Sequence, residues 1–153
     1  GKIVARMNSL VETQVIDALY EASKCGVSID LLVRGVCMLR PGVAGLSDNI
    51  TVRSTVGRFL EHSRIFFFRN NGKNDLFLSS ADWMDRNFFR RVEIAFPIFN
   101  EKLKKRVFEE GLQIHFAENA INWRMSSDGS YHLRKSSSNQ IISCQDGLLK
   151  KYS

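Results

Sequence analysis

No stretch of this 153-residue sequence approaches the roughly 18 consecutive apolar residues of a membrane-crossing helix. The opening GKIVARMNSLVE has neither the long apolar run nor the small-residue cleavage pattern of a secretory signal. Both absences predict a soluble chain. Cysteine is scarce, occurring only at Cys25, Cys37 and Cys144, with spacings that fit neither a disulfide framework nor a paired-cysteine zinc site. Reduced thiols are expected. Acidic residues are outnumbered, with 16 Asp and Glu against 22 Lys and Arg, which gives a net charge of +6 and an isoelectric point near 9.5. Such a surplus favours polyanionic partners through the summed field without saying which polyanion. No internal repeat is found.

What is present is the balance of one globular domain with a real core, since 44% of the residues are hydrophobic and 25% charged. Gly1 leads straight into strand-like sequence with no initiator Met, so a piece of a longer protein is expected. KIVARMN reads as an edge strand of a sheet. Ser9 and Glu12 have the spacing of a capping box ahead of the helical apolar series Val11, Val15, Ala18, Leu19 and Ala22, and Gly26 would close a helix over about 9–25. The short apolar run IDLLV at 29–33 then reads as a buried strand, which completes a βαβ unit.

RPGVAGLSDNI from Arg40 has loop composition, and Val56, Phe59 and Leu60 predict a helical turn over Ser54–Leu60. RIFFFR at 64–69 and DLFLS at 75–79 read as two strands joined by Asn70-Asn71-Gly72-Lys73-Asn74, a hairpin-type connection. Alternation from Val92 to Ile98 predicts a half-buried strand that Pro97 holds near an edge. A helix is expected from Asn100, with Leu103, Val107 and Phe108 inward and Lys102, Lys104, Lys105 and Arg106 on a solvated face. Residues 1–124 read as the body of the domain. Residues 125–153 read as a polar, mobile or extended tail of the same unit, ending in a short helix within Asp146–Tyr152.

Chemistry is expected where the strand 29–33 ends. In open α/β sheets ligands bind outside the carboxyl ends of strands, so Arg34 is placed to reach an anion and Gly35 would let the backbone approach it. Guanidinium geometry suits phosphate, although Arg34 could equally cap the sheet edge or pair with Asp48. His62 lies at the start of an apolar strand, and Arg64 follows two positions later, which in an extended segment puts both side chains on one face. A histidine can move a proton near neutrality, as phosphoryl transfer requires. His115 and His132 lack such company. Further on, Ser79-Ser80-Ala81-Asp82-Trp83-Met84-Asp85-Arg86-Asn87 reads as a strand end running into a polar turn, with small hydroxyls and an Arg that could approach phosphate.

That grouping has the general shape of the second phospholipase D motif, but with Arg64 in place of the usual Lys and Arg69 in place of the usual Asp. Longer blocks narrow the resemblance. RMNSLVETQVIDALYEASKCGVSIDLLVRG, LLVRGVCML at 31–39, LSDNI at 46–50, RFLEHSRIFFF at 58–68 and LSSADWMDRN at 78–87 closely resemble the C-terminal part of polyphosphate kinases over about residues 3–118. Beyond about residue 124 the likeness is faint.

The resemblance implies a phospholipase D-like α/β domain, a mixed sheet flanked by helices. It implies ATP or ADP and inorganic polyphosphate as substrates, and reversible transfer of the terminal phosphate of ATP to the polyphosphate chain. It places a nucleotide-binding Arg at Arg34 and a functional His at His62, with Arg64 at the same phosphate site. The histidine that becomes phosphorylated and the ligands for Mg2+ belong to a facing domain absent from this sequence, so no metal residue is assigned here. This fragment alone is therefore expected to be inactive. The full-length enzyme is expected to be a homo-oligomer, in the cytoplasm or associated with a membrane. Two other readings stand beside this one. One is a phospholipase D-type nuclease or phosphodiesterase. The other is a non-catalytic polyanion-binding module in which Phe66, Phe67, Phe68, Phe88 and Phe89 stack bases, although aromatics in apolar strands more often form core.

Overall fold

The computed structural model describes residues 1–117, 119–134 and 143–153. Three parallel strands, β1 (Lys2–Met7), β2 (Ser28–Val33) and β3 (Ile50–Ser54), form the middle of a mixed sheet. Antiparallel strands extend it on both sides. β4 (Ile65–Asn70), β5 (Lys73–Ser79) and β6 (Ala95–Pro97) follow on one side, and β7 (Trp123–Met125) and β8 (Tyr131–Leu133) on the other. Among the described residues the sheet has eight strands in the order β6-β5-β4-β1-β2-β3-β7-β8. The expected mixed α/β arrangement is therefore present.

The βαβ opening is present, but β1 is not an edge. It lies between β2 and β4, with Val4 and Ala5 buried. Arg6 carries a charge into the middle of the sheet. It is buried because Glu61 pairs with it. Helix α1 (Thr13–Lys24) crosses one face of the sheet and packs Ile16 and Leu19 against Leu31 and Val52. Its cap is Glu12 alone, whose carboxylate accepts from the Val15 amide at 2.7 Å. Ser9 is no cap, because Leu10 bridges to Cys37 and Trp83 and keeps that stretch extended. Gly26 ends the helix as expected, at a φ of +80° that a side chain would resist.

Two further sequence expectations fail. Ser54–Leu60 is not helical, for β3 runs to Ser54 and the chain is irregular from there to Arg64. The apolar spacing there has no core to face, since Val56 and Leu60 stand 72% and 78% exposed. The half-buried strand at Val92–Ile98 shrinks to β6, exposed at the sheet edge where Pro97 was expected to hold it. The β4–β5 hairpin does turn at Asn71-Gly72, both with positive φ, 46° and 82°, the pairing of a type I′ turn.

α2 (Asp85–Phe89) is a short helix after β5. α3 (Glu101–Phe108), capped by Asn100, runs into a π-helical turn at Glu109–Gln113 and a last turn, α4 (Ile114–Phe116). Leu112 packs there on Val4, Phe67 and Leu76, covering the second face of the sheet. Gly111 leaves room in that wide turn for the Ile65 side chain, whose end would have to shift if a Cβ stood there. The expected terminal helix is α5 (Cys144–Tyr152), capped by Ser143. Part of the expected extended tail, 135–142, lies outside the described residues.

Candidate functional site

Strand direction gathers the candidate residues at one margin of the sheet. β1, β2 and β3 are parallel, so Asn8, Arg34 and Thr55 follow their carboxyl ends side by side. β4 runs opposite to β1, so its start brings Arg64 to the same margin, and β5, opposite to β4, delivers Ser79 and Asp82 there. Residues far apart in sequence are thereby adjacent, as ligand sites in open α/β sheets require.

Arg34 is half-buried and donates from Nη1 to the carbonyl oxygen of Glu61 at 2.6 Å. It does not pair with Asp48, whose carboxylate accepts from the Gly45 amide. Gly35 serves a protein contact, donating its amide to the Asn8 carbonyl at 2.8 Å, with that oxygen only 3.1 Å from where a Cβ would stand. The tight turn that exposes Arg34 is thus built on β1.

His62 lies in the exposed irregular loop before β4, not on the strand. Arg64 Nη1 approaches His62 Nδ1 at 2.9 Å and donates to the His62 carbonyl at 3.1 Å. Guanidinium has no acceptor, so His62 Nδ1 accepts and the ring hydrogen of the neutral imidazole stands on Nε2. Arg64 is itself fixed by a bidentate pair with Asp82, Nε to Oδ1 at 3.2 Å and Nη2 to Oδ2 at 3.0 Å. Burial alone would raise the Asp82 carboxyl, but hydrogen bonds from Arg64 and from the Asn8 amide, at 2.7 Å, outweigh it and hold the carboxyl below its ordinary value. A chain of contacts thus runs from Asn8 through Asp82 and Arg64 to the imidazole.

Behind this margin lies a polar cluster that the sequence did not reveal. Arg6, 5% exposed, pairs with Glu61, donates to the Gly111 carbonyl at 3.0 Å and contacts His115 Nε2 at 3.2 Å. His115, 1% exposed, is pushed down to about 4 by burial and then by Arg6, so it is neutral and accepts. Its helical setting gave no sign of this. The signal available was a charged residue inside an otherwise apolar strand, at Arg6. An open groove of about 510 Å³ runs past Arg6, Glu61, His62, Arg64 and Ser79. Arg34 shares a small adjoining cleft with Arg6, Thr55 and Glu61. Two arginines and an imidazole with a free N–H suit an oxyanion with several oxygens.

The family Polyphosphate kinase C-terminal domain 2 matches residues 1–145. The chain belongs to this family. A polyphosphate kinase of Burkholderia lata is 60% identical over 152 residues, covering 99% of this chain and 22% of that protein. The crystal structure of a polyphosphate kinase from Porphyromonas gingivalis superposes with a TM-score of 0.93 at 38% identity, over 99% of this chain and 23% of that one. The chain therefore spans about a fifth of the length of these relatives. The matched span in both comparisons extends beyond residue 124. NucT from Helicobacter pylori shares the fold alone, with a TM-score of 0.54 at 11% identity over 73% of this chain and 78% of that one.

Among the described residues, no cluster of three or more His, Cys, Asp or Glu side chains converges, and no helix is long and apolar enough to cross a membrane. The two carboxylates at this margin are engaged, Asp82 by Arg64 and Asn8, and Glu61 by Arg6 and Gln145. They do not fit a magnesium ion as ligands. The cysteines are free, and burial raises the Cys37 and Cys144 thiols to about 11, which leaves them unreactive.

Proposed function

We propose that this chain is the C-terminal catalytic half-domain, phospholipase D-like in fold, of a polyphosphate kinase that reversibly transfers the terminal phosphate of ATP to inorganic polyphosphate. The observation that carries this reading is the convergence of Arg34, His62 and Arg64 at one sheet margin in a chain of this family. Arg34 binds the nucleotide phosphates, where a planar fork of donors meets several oxygens. Arg64 supplies fixed positive charge as charge spreads over the transferring group, and its Asp82 pair prevents it from swinging away. The Nε2–H of His62 hydrogen-bonds to the leaving oxygen as ADP departs. As a general acid His62 acts in its imidazolium form, with the Arg64 contact to Nδ1 released, giving up one proton to become neutral imidazole and regaining it in the reverse direction.

The phosphoryl group is received by a histidine of the facing half of the site, which the remaining four-fifths of the parent protein provides. The parent is thus a phosphoprotein during turnover, and this chain alone makes no polyphosphate. Magnesium enters with the nucleotide or through ligands in that other part, and no step here runs through it. We place the parent in the cytoplasm, with or without membrane association, as a homo-oligomer. A phosphodiesterase is disfavoured by the kinase relatives, and a base-stacking module by the burial of Phe66 and Phe67 in the core, although Phe88 and Phe89 are exposed. ATP-dependent polyphosphate synthesis by the full-length parent tests the reading.

A further inference from the structure

The loop that carries His62 is almost wholly exposed, yet His62 must hold its place to within a few tenths of an ångström to act on a phosphate. Arg64 holds the imidazole from one side. The backbone leading to it is held from the other by a residue that lies far downstream in the sequence and has no role in the site described so far. Gln145, in the first turn of α5, is 7% exposed and buries its side-chain amide against this loop. Its Oε1 accepts from the Phe59 amide at 2.8 Å, and its Nε2 donates to the Phe59 carbonyl at 2.9 Å and to Glu61 Oε1 at 2.8 Å.

The two bonds to one backbone residue fix orientation as well as distance. The third fixes the side chain of the residue that precedes His62. Glu61 is held in turn by Arg6 through its other oxygen, and its carbonyl accepts from Arg34. The loop also leaves room for the amide, because a Cβ at Gly57 would stand 2.6 Å from Gln145 Oε1. Gly57 has open space for a side chain only if Gln145 moves.

We propose that Gln145 is a positioning residue for His62, and that α5 clamps the His62 loop in its working geometry. This rests on the functional reading above. Gln145 touches no substrate and acts only through the placement of Phe59, Glu61 and so His62. When the amide is removed, water can satisfy the exposed Phe59 backbone groups, so the fold survives while placement is lost.

The test uses the full-length parent enzyme. Misplacing a catalytic group by about an ångström costs on the order of 100-fold, so Gln145→Ala should lower kcat for ATP-dependent polyphosphate synthesis by about 10- to 100-fold. KM for ATP should stay within about threefold, because uniform substrate binding is not what Gln145 supplies. Amide hydrogen exchange at residues 57–62 should quicken. The decisive arm is non-additivity: Gln145→Ala combined with His62→Ala should be no slower than His62→Ala alone, an outcome that a merely structural residue would not give. Should Gln145→Ala fail to fold, Gly57→Ala displaces the same amide from the loop side and should show the same kinetics.

Wild-type kcat in Gln145→Ala beside an impaired His62→Ala, or an additive loss in the double variant, overturns this proposal and leaves the functional reading intact. A wild-type parent without ATP-dependent synthesis overturns both.

Discussion

Arg34 Nη1 donates to the carbonyl oxygen of Glu61 at 2.6 Å, so the cation at the end of β2 and the backbone immediately before His62 are held as one unit. Binding and chemistry are therefore adjacent without being the same. Arg34→Ala in the parent enzyme should weaken nucleotide affinity and lower turnover together. Arg34→Lys should restore only part, because a point-like ammonium cannot reproduce the planar fork or reach both a phosphate and the Glu61 carbonyl. Steady-state kinetics with varied ATP check this. An Arg34→Lys enzyme with wild-type kcat/KM would show that only charge matters at this position.

The Arg64–Asp82 pair is largely buried, with side chains 13% and 6% exposed. Removing one partner leaves the other charge uncompensated, so Asp82→Ala should cost about 3 kcal/mol of stability, near the low end for a broken buried pair. The Asn8 amide loses its acceptor as well. Urea unfolding measures the loss. A cost under about 1 kcal/mol, the range of a surface ion pair, would show that water reaches this pair freely.

His115 should make stability fall in mild acid. Burial, then Arg6, push it down to about 4, whereas an unfolded histidine titrates near its ordinary 6.5. Between those values the unfolded chain takes up a proton that the folded chain refuses. The contribution is whole above about pH 6.5 and is lost as the pH falls toward about 4, by up to about 3 kcal/mol. Unfolding measured across this range should show the slope, and His115→Leu should flatten it. An unchanged slope in His115→Leu would assign the effect to other groups.

The parallel β1–α1–β2 unit and the β4–β5 hairpin were legible because local signals agreed with the fold, the Asn70–Asn74 connection among them. That Arg34 would stand at the end of a buried strand, and His62 beside Arg64, was legible from position and spacing. β3 was missed because Ile50–Ser54 is short and follows a loop-like run, so its pairing with β2 is a tertiary choice. The helical reading of Ser54–Leu60 failed for the same reason, since periodicity says nothing when no core lies beneath it. The partners of Asp82, Arg6, His115 and Gln145 could not be read, although Arg6 stood out as a charge inside an apolar strand. These partners lie 18 to 109 residues away, and only the folded sheet brings them together.

The central claim is that His62 works on phosphate transfer in a polyphosphate kinase. The most direct measurement compares ATP-dependent polyphosphate synthesis by the full-length parent and by its His62→Ala variant, with folding of both confirmed by thermal melting. The account predicts robust synthesis by the parent and a turnover about 10²- to 10⁴-fold lower in the variant, with ATP affinity little changed. A His62→Ala enzyme that keeps near wild-type turnover, or a parent that makes no polyphosphate from ATP, would contradict it.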